Sequence, residues 1–286
     1  MARVLVLGVT GMLGNAVFRV FNADARFEVW GTLRSGAARS HFPEASHARL
    51  RTGVDVLDQD SLVAALAAIK PDVVINCVGL IKQLADAKDP LTALPINAML
   101  PHRLANLCQL VGARLIHVST DCVFSGSKGG YLESDVSDAE DLYGKSKYIG
   151  ELTDMPHAVT LRTSIIGHEL NSNYALIDWF LSQEGSVKGF SRAIFSGLPT
   201  VELARVMKDF VIPHTQLSGL YHVAAAPIAK LDLLRLVAAQ YEKQIEIRAD
   251  DSLVIDRSLN GSRFSAATGY VAPAWPELIR VMHADS

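Results

Sequence analysis

The chain opens with Arg3-Val-Leu-Val-Leu-Gly8, a β-branched and leucine-rich run without polar alternation. Such a run suits a strand buried on both faces of a parallel sheet. A helix-like stretch follows over Met12 to Phe21, and Phe27-Glu-Val-Trp-Gly-Thr32 reads as a second strand. Asp58 to Ile69 reads as a helix, and Pro71-Asp-Val-Val-Ile-Asn-Cys-Val78 as another buried strand. The series continues with a helix over Pro90 to Val111, a strand at Arg114 to Ser119, a helix over Ala139 to Leu152 and a strand at His157 to Arg162. Strands alternating with helices predict an α/β fold, a doubly wound parallel sheet with right-handed crossovers.

After Arg162 the alternation loosens. Asn171-Ser-Asn173 and Gly185 to Gly197 read as loops, and Pro199 to Val211 as a helix entered through proline. Gly219 to Ala224 reads as a strand and Lys230 to Tyr241 as a helix, while the tail from Asp250, with Pro273, Trp275 and Pro276, reads as loop-rich. This half is expected to form a smaller lobe over the carboxyl edge of the sheet, where ligands bind in open α/β folds.

Composition narrows the classes. With 49% hydrophobic and 20% charged residues among 286, the chain is an ordinary globule able to build a sizeable core. A net charge of −3 leaves no electrostatic footprint for nucleic acid or an anionic membrane. Cys77, Cys108 and Cys122 are odd in number and lack CxxC spacing, which reads as buried thiols in a reducing compartment. The nine histidines form no HxxxH or HExxH grouping, so no metal is assigned. Gly8, Gly11 and Gly14 interrupt the apolar start, unlike a signal peptide, and the longest apolar run, Leu62 to Ile69, is too short to span a bilayer. The expected location is cytoplasmic.

The chemistry starts at Gly8-Val-Thr10-Gly11-Met12-Leu13-Gly14, a glycine-rich turn between a strand and a helix. In that context Gly8 makes the turn, Gly11 lets a pyrophosphate approach and Gly14 permits close helix–sheet packing. The helix N-terminus offers N–H groups to phosphate. At the end of the second strand, Arg34-Ser35 stands where an acid would select NAD, so NADPH is the expected cofactor and NADH the alternative. Asp55-Val56 sits where a third strand would end and suits either an adenine contact or a helix-capping or turn role. Tyr143 and Lys147 stand four apart, so on a helix they share a face. A lysine within about 4 Å lowers a phenol's pKa from about 10, which would suit the pair to proton transfer at a carbonyl or alcohol oxygen.

Taken together, Gly8 to Gly14, Asn76-Cys-Val-Gly79, Ile96-Asn97, Ser119-Thr-Asp-Cys-Val-Phe-Ser-Gly126, Tyr143-Gly-Lys-Ser-Lys147 with Gly150-Glu151, Leu161-Arg-Thr-Ser164 and Gly197-Leu-Pro-Thr200 resemble the extended short-chain dehydrogenase/reductase superfamily. Within it the pattern is most similar to the dTDP-4-dehydrorhamnose reductases and related nucleotide-sugar 4-ketoreductases. The resemblance implies a Rossmann domain over 1–166, with 197–225 returning to it, and a substrate-binding lobe from 167–196 and 226–286. It implies a catalytic set of Thr120, Tyr143 and Lys147, in which Lys147 also binds the nicotinamide ribose. Cofactor contacts are implied at Thr10, Met12, Leu13, Cys77, Val78 and Gly79, with Asn97 and Ser119 placing the cofactor or a relay water. Asp121, Cys122, Arg162 and Arg257 are implied at the nucleotide-sugar substrate, with Arg192 and Arg263 as further diphosphate candidates. Cys122 occupies the glutamate position of the dehydratases, which argues against elimination. An epimerase and a non-catalytic NADP-binding regulatory subunit are the alternatives to the reductase. A homodimer is left open, but Ala16 replaces the glutamate associated with metal-bridged dimers, which disfavours that form.

Overall fold

In a computed structural model of the chain, residues 1–80, 88–170 and 172–286 are described; Asn171, in one of the expected loops, lies outside them. The strands in chain order are β1 (Ala2–Leu7), β2 (Phe27–Leu33), β3 (Leu50–Thr52), β4 (Val73–Asn76), β5 (Arg114–Thr120), β6 (Ala158–Thr163) and β7 (Ile165–Ile166). Then come β8 (Ser186–Phe190), β9 (Ala193–Phe195), β10 (Leu198–Pro199), β11 (Gly219–His222), β12 (Ile228–Ala229), β13 (Glu246–Asp250) and β14 (Ile255–Asp256). The α-helices are α1 (Met12–Asn22), α2 (Gln59–Ile69), α3 (Pro90–Ala93), α4 (Leu100–Val111), α5 (Leu142–Ile149), α6 (Leu176–Ser182), α7 (Thr200–Val206), α8 (Lys230–Gln240), α9 (Ser262–Thr268) and α10 (Trp275–Ala284).

The central sheet has seven parallel strands in the order β11-β6-β5-β4-β1-β2-β3. The winding reverses between β1 and β4, the crevice where such sheets take their ligands. Along β1, Val4 and Val6 join the core containing Val17, Phe18 and Phe21 of α1, whereas Leu5 and Leu7 join Leu62 and Leu66 of α2 and Leu100 and Leu104 of α4. Both faces are covered, which is why β1 shows no polar alternation.

Three expectations change. The predicted loop at Gly185 to Gly197 contains β8 and β9. Exposed Ser186 and Lys188 alternate with buried Val187 and Gly189, and Gly189 masks the period because a Cβ there would meet Leu231 and Ile247. The loop-rich tail contains β14, α9 and α10, since Pro276 occupies the first turn of α10, where no intrahelical N–H is lost. The long helix predicted over Pro90 to Val111 has a π turn at Leu94–Met99. Pro95 and Pro101 cannot donate to the carbonyls four residues before them, and the backbone widens instead.

The glycine turn closes β1 onto α1. Gly8 has φ +83°, and a Cβ on Gly14 would lie 2.1 Å from the Gly8 carbonyl oxygen. Gly14→Ala should therefore cost more than about 2 kcal/mol in urea unfolding, as expected for overpacking. Gly36→Ala, whose nearest neighbour would be Thr52 Cγ2 at 4.0 Å, is the control and should be nearly neutral. Equal stability of the two variants would contradict this account of the turn.

Candidate active site

The carboxyl ends of β1, β4 and β5 bring the site together. A Cβ on Gly8 would lie 2.9 Å from Val78 Cγ2, so the glycine turn abuts Cys77 and Val78 at the end of β4. Gly11 begins α1 without a side-chain cap, and the first turn carries no acid. That leaves the helix terminus suited to an anion. Arg34 is exposed at the end of β2, and Ser35 accepts from Ala37 N at 3.3 Å. Glu28, the acid of β2, is held at the other end of the strand by Arg3 (3.2 Å) and Trp30 (3.0 Å). Asp55 takes its turn role, accepting from Leu57 N at 2.9 Å.

Helix α5 carries Tyr143 and Lys147 and is shorter than predicted, because Asp141 caps it through Gly144 N (2.8 Å) and Gly150 ends it. Two small residues seat it. A Cβ on Gly144 would meet the Cys122 carbonyl oxygen at 2.2 Å, and one on Gly150 the Asn97 carbonyl oxygen at 2.1 Å. The helix is thus pressed against the turn Asp121–Val123 and the π turn. Asn97 Oδ1 accepts from Leu80 N at 2.9 Å, and its Nδ2 donates to Ser146 Oγ at 3.2 Å. Asn97 therefore clamps the exit of β4 to α5.

Thr120, the last residue of β5, stands by the Tyr143 phenol and favours its ionised form, against the larger effect of burial. Its Oγ1 also donates to Asp121 Oδ1 and accepts from Cys122 N, each at 3.1 Å. Burial raises the Asp121 carboxyl above its ordinary range, against the pull of Arg257. Lys147 lies behind this pair. Its ammonium donates to the Val118 carbonyl at 2.7 Å, and a Cβ on Gly79 would lie 3.8 Å from it. Burial lowers the Lys147 pKa from 10.5 to about 8, with Glu151 opposing the shift.

The expected lowering of the Tyr143 pKa is not found. Burial pushes the phenol well above its ordinary value, with Cys122, Asp121 and Asp141 adding to the effect. Lys147 does not offset this, because its side chain leans toward the β5 backbone. The phenol is therefore protonated at neutral pH, which suits a proton donor. Burial also pushes the Cys77 thiol up to about 12, so it is no nucleophile at neutral pH.

One assignment from the sequence needs correction. Arg162 is 1% exposed and cannot reach a substrate. Its Nε and Nη2 donate to Glu151 at 2.9 and 2.5 Å, Nη1 lies 2.9 Å from His222 Nε2, and the guanidinium sits 4.9 Å from the Phe124 ring centroid. Ser119, buried at the end of β5, donates its hydroxyl to Glu151 Oε1 at 2.7 Å. Glu151, within Gly150-Glu151, and His222, in the strand read at Gly219 to Ala224, had no role in the sequence reading. Arg257 donates through Nε to the Phe124 carbonyl at 2.8 Å and stands near Asp121. Arg192 is exposed between β8 and β9, and Arg263 lies 4.7 Å from the Tyr221 ring centroid.

Residues 2–264 match the family model described as the RmlD substrate binding domain. The chain belongs to this family. The dTDP-4-dehydrorhamnose reductase of Aggregatibacter actinomycetemcomitans is 27% identical over 236 residues, covering 79% of this chain and 74% of that protein. The methionine adenosyltransferase 2 subunit beta of Danio rerio is 30% identical over 237 residues, covering 78% of this chain and 68% of that protein. Among solved structures, a Bacillus anthracis dTDP-4-dehydrorhamnose reductase in complex with NADP superposes with a TM-score of 0.81 at 19% identity, covering 100% of this chain and 98% of that one. RmlD-family membership thus extends over both the glycine turn and the Tyr143 helix. Among the described residues no helix is long and apolar enough to cross a membrane, and no cluster of histidine, cysteine and acidic side chains is arranged to hold a metal.

Buried Lys147 generates a prediction. Below about pH 8 the folded protein holds a charged ammonium out of water, a cost absent from the unfolded chain. That cost fades as pH rises from about 8 toward 10.5, so stability contributed through this group grows over that window. Lys147→Met should stabilise the fold at pH 7 by at most on the order of 3 kcal/mol, with the gain shrinking by about pH 10. Urea unfolding at both pH values checks this, and a variant less stable than the parent at pH 7 would contradict it.

Proposed function

We propose that the protein reduces the 4-keto group of a nucleotide-linked 6-deoxy sugar with NADPH, in the manner of dTDP-4-dehydrorhamnose reductase. The observation that carries this reading is that α5, bearing Tyr143 and Lys147, is pressed through Gly144 against the turn after Thr120, at the same carboxyl edge of the sheet as the glycine turn. The residues fit the cofactor. The uncapped N-terminus of α1 suits the pyrophosphate, and exposed Arg34, with Glu28 engaged elsewhere, suits a 2′-phosphate. Bound NADPH supplies the hydride.

The chain's own groups supply the rest. Tyr143 donates its hydroxyl proton to the carbonyl oxygen, and Thr120 joins it in polarising that oxygen once its own proton turns from Asp121 Oδ1. Tyr143, protonated at neutral pH, gives its proton to the oxygen as alkoxide charge develops, which is general acid catalysis. Lys147, beside Gly79 and the end of β5, is placed to bind the nicotinamide ribose, and Arg257 is the remaining candidate for the substrate diphosphate. Cys122 sits at Tyr143 where elimination would need an acid–base pair, so the chemistry stops at reduction.

The test supplies a 4-keto-6-deoxy nucleotide sugar and follows cofactor and product together. One NADPH should disappear per alcohol formed, with NADPH preferred to NADH and the preference eroded in Arg34→Ala. Sugar interconversion without net NADPH loss would establish an epimerase. Tight NADPH binding with no turnover of any 4-keto nucleotide sugar would favour a regulatory subunit, as in the methionine adenosyltransferase relative.

A further inference from the structure

Glu151 joins the two elements that carry the hydroxyl pair. It follows α5, the helix of Tyr143 and Lys147, and its Oε1 accepts from Ser119, the residue before Thr120 on β5. The same oxygen accepts from Arg162 Nε and the other from Arg162 Nη2, which locks the carboxylate to β6. Arg162 passes the connection to β11 through His222 Nε2. Burial and the Arg162 charge lower the His222 pKa to about 3, so the ring is neutral. Its Nδ1 lies 3.0 Å from the Tyr131 carbonyl and must carry the proton, leaving Nε2 to accept from Arg162. The Tyr131 carbonyl also accepts from Asn260 N at 2.8 Å, and Tyr131 N donates to the Ser258 carbonyl at 2.9 Å. One hydrogen-bonded line therefore runs from the strand of Thr120 to the segment that bears Arg257.

Stability alone is a weak reason for this arrangement. A buried ion pair loses most of its Coulombic gain to desolvation, and apolar side chains of similar volume often serve a core as well. What apolar side chains do not supply is a directional hold on the Ser119 hydroxyl. Displacing a reacting group by about 1 Å can cost about 100-fold in rate, so such a hold has kinetic value.

We infer that Glu151 is a positioning residue for the proposed reduction: held by Arg162, it fixes Ser119 and so keeps the Thr120 hydroxyl against Tyr143. This rests on the reductase reading, so the test includes a measurement independent of turnover. Ser119→Ala deletes only the hydroxyl between Glu151 and β5. Arg162 still satisfies both carboxylate oxygens, so the variant folds. Its kcat should fall about 10-fold or more, while KM, the NADPH dissociation constant and the melting temperature stay near the parent values. A crystal structure of Ser119→Ala should show the Thr120 hydroxyl withdrawn from Tyr143. Unchanged kcat, or a loss confined to NADPH affinity, would overturn the inference. So would a Thr120 side chain left in its parent position relative to Tyr143, whether or not the parent reduces a sugar. Absence of turnover in the parent would instead defeat the reductase reading.

Discussion

Burying one carboxylate ties together β5, β6, β11 and the end of α5 in this protein. Glu151 and Arg162 have side chains 3% and 1% exposed, and a pair so placed holds only if its hydrogen bonds are nearly complete. Here they are supplied by four elements: Ser119 from β5, Arg162 from β6, His222 from β11, and Glu151 itself after α5. Removing Arg162 would strand a buried negative charge, so these elements can shift only together. Thr120 follows Ser119 on β5 and Tyr143 lies on α5, so both are carried by that assembly.

The same burial sets the chemistry. Tyr143 stays protonated because the site disfavours phenolate, and Lys147 is weakly held as an ammonium for the corresponding reason. An enzyme working in the reductive direction needs a protonated donor, so a raised phenol pKa costs it nothing at neutral pH. The reverse oxidation would need the phenolate and would suffer from the same environment.

Much of this was legible in the sequence because it depends on local pattern. The unalternating run of β1, the glycine turn and the strand–helix order carry the doubly wound sheet, and each is written in consecutive residues. What was missed depends on pairing across the chain. The strands β8 and β9 were hidden by Gly185, Gly189 and Gly197: the first takes φ +70°, while a Cβ on Gly189 would meet Leu231 and one on Gly197 the Ser164 carbonyl oxygen. Arg162 reads equally well as a phosphate ligand until Glu151 and His222 are seen around it. The direction of the Tyr143 shift was misjudged because spacing places Lys147 on the same helix face but does not say that its ammonium leans to the Val118 carbonyl.

The most direct measurement compares parent and Tyr143→Phe protein for single-turnover NADPH oxidation with a 4-keto nucleotide sugar, alongside NADPH affinity by fluorescence titration. Deleting the hydroxyl removes only the proton donor. The rate should fall by about 100-fold or more, with NADPH affinity nearly intact. A Tyr143→Phe protein that keeps most of the parent rate would contradict the account.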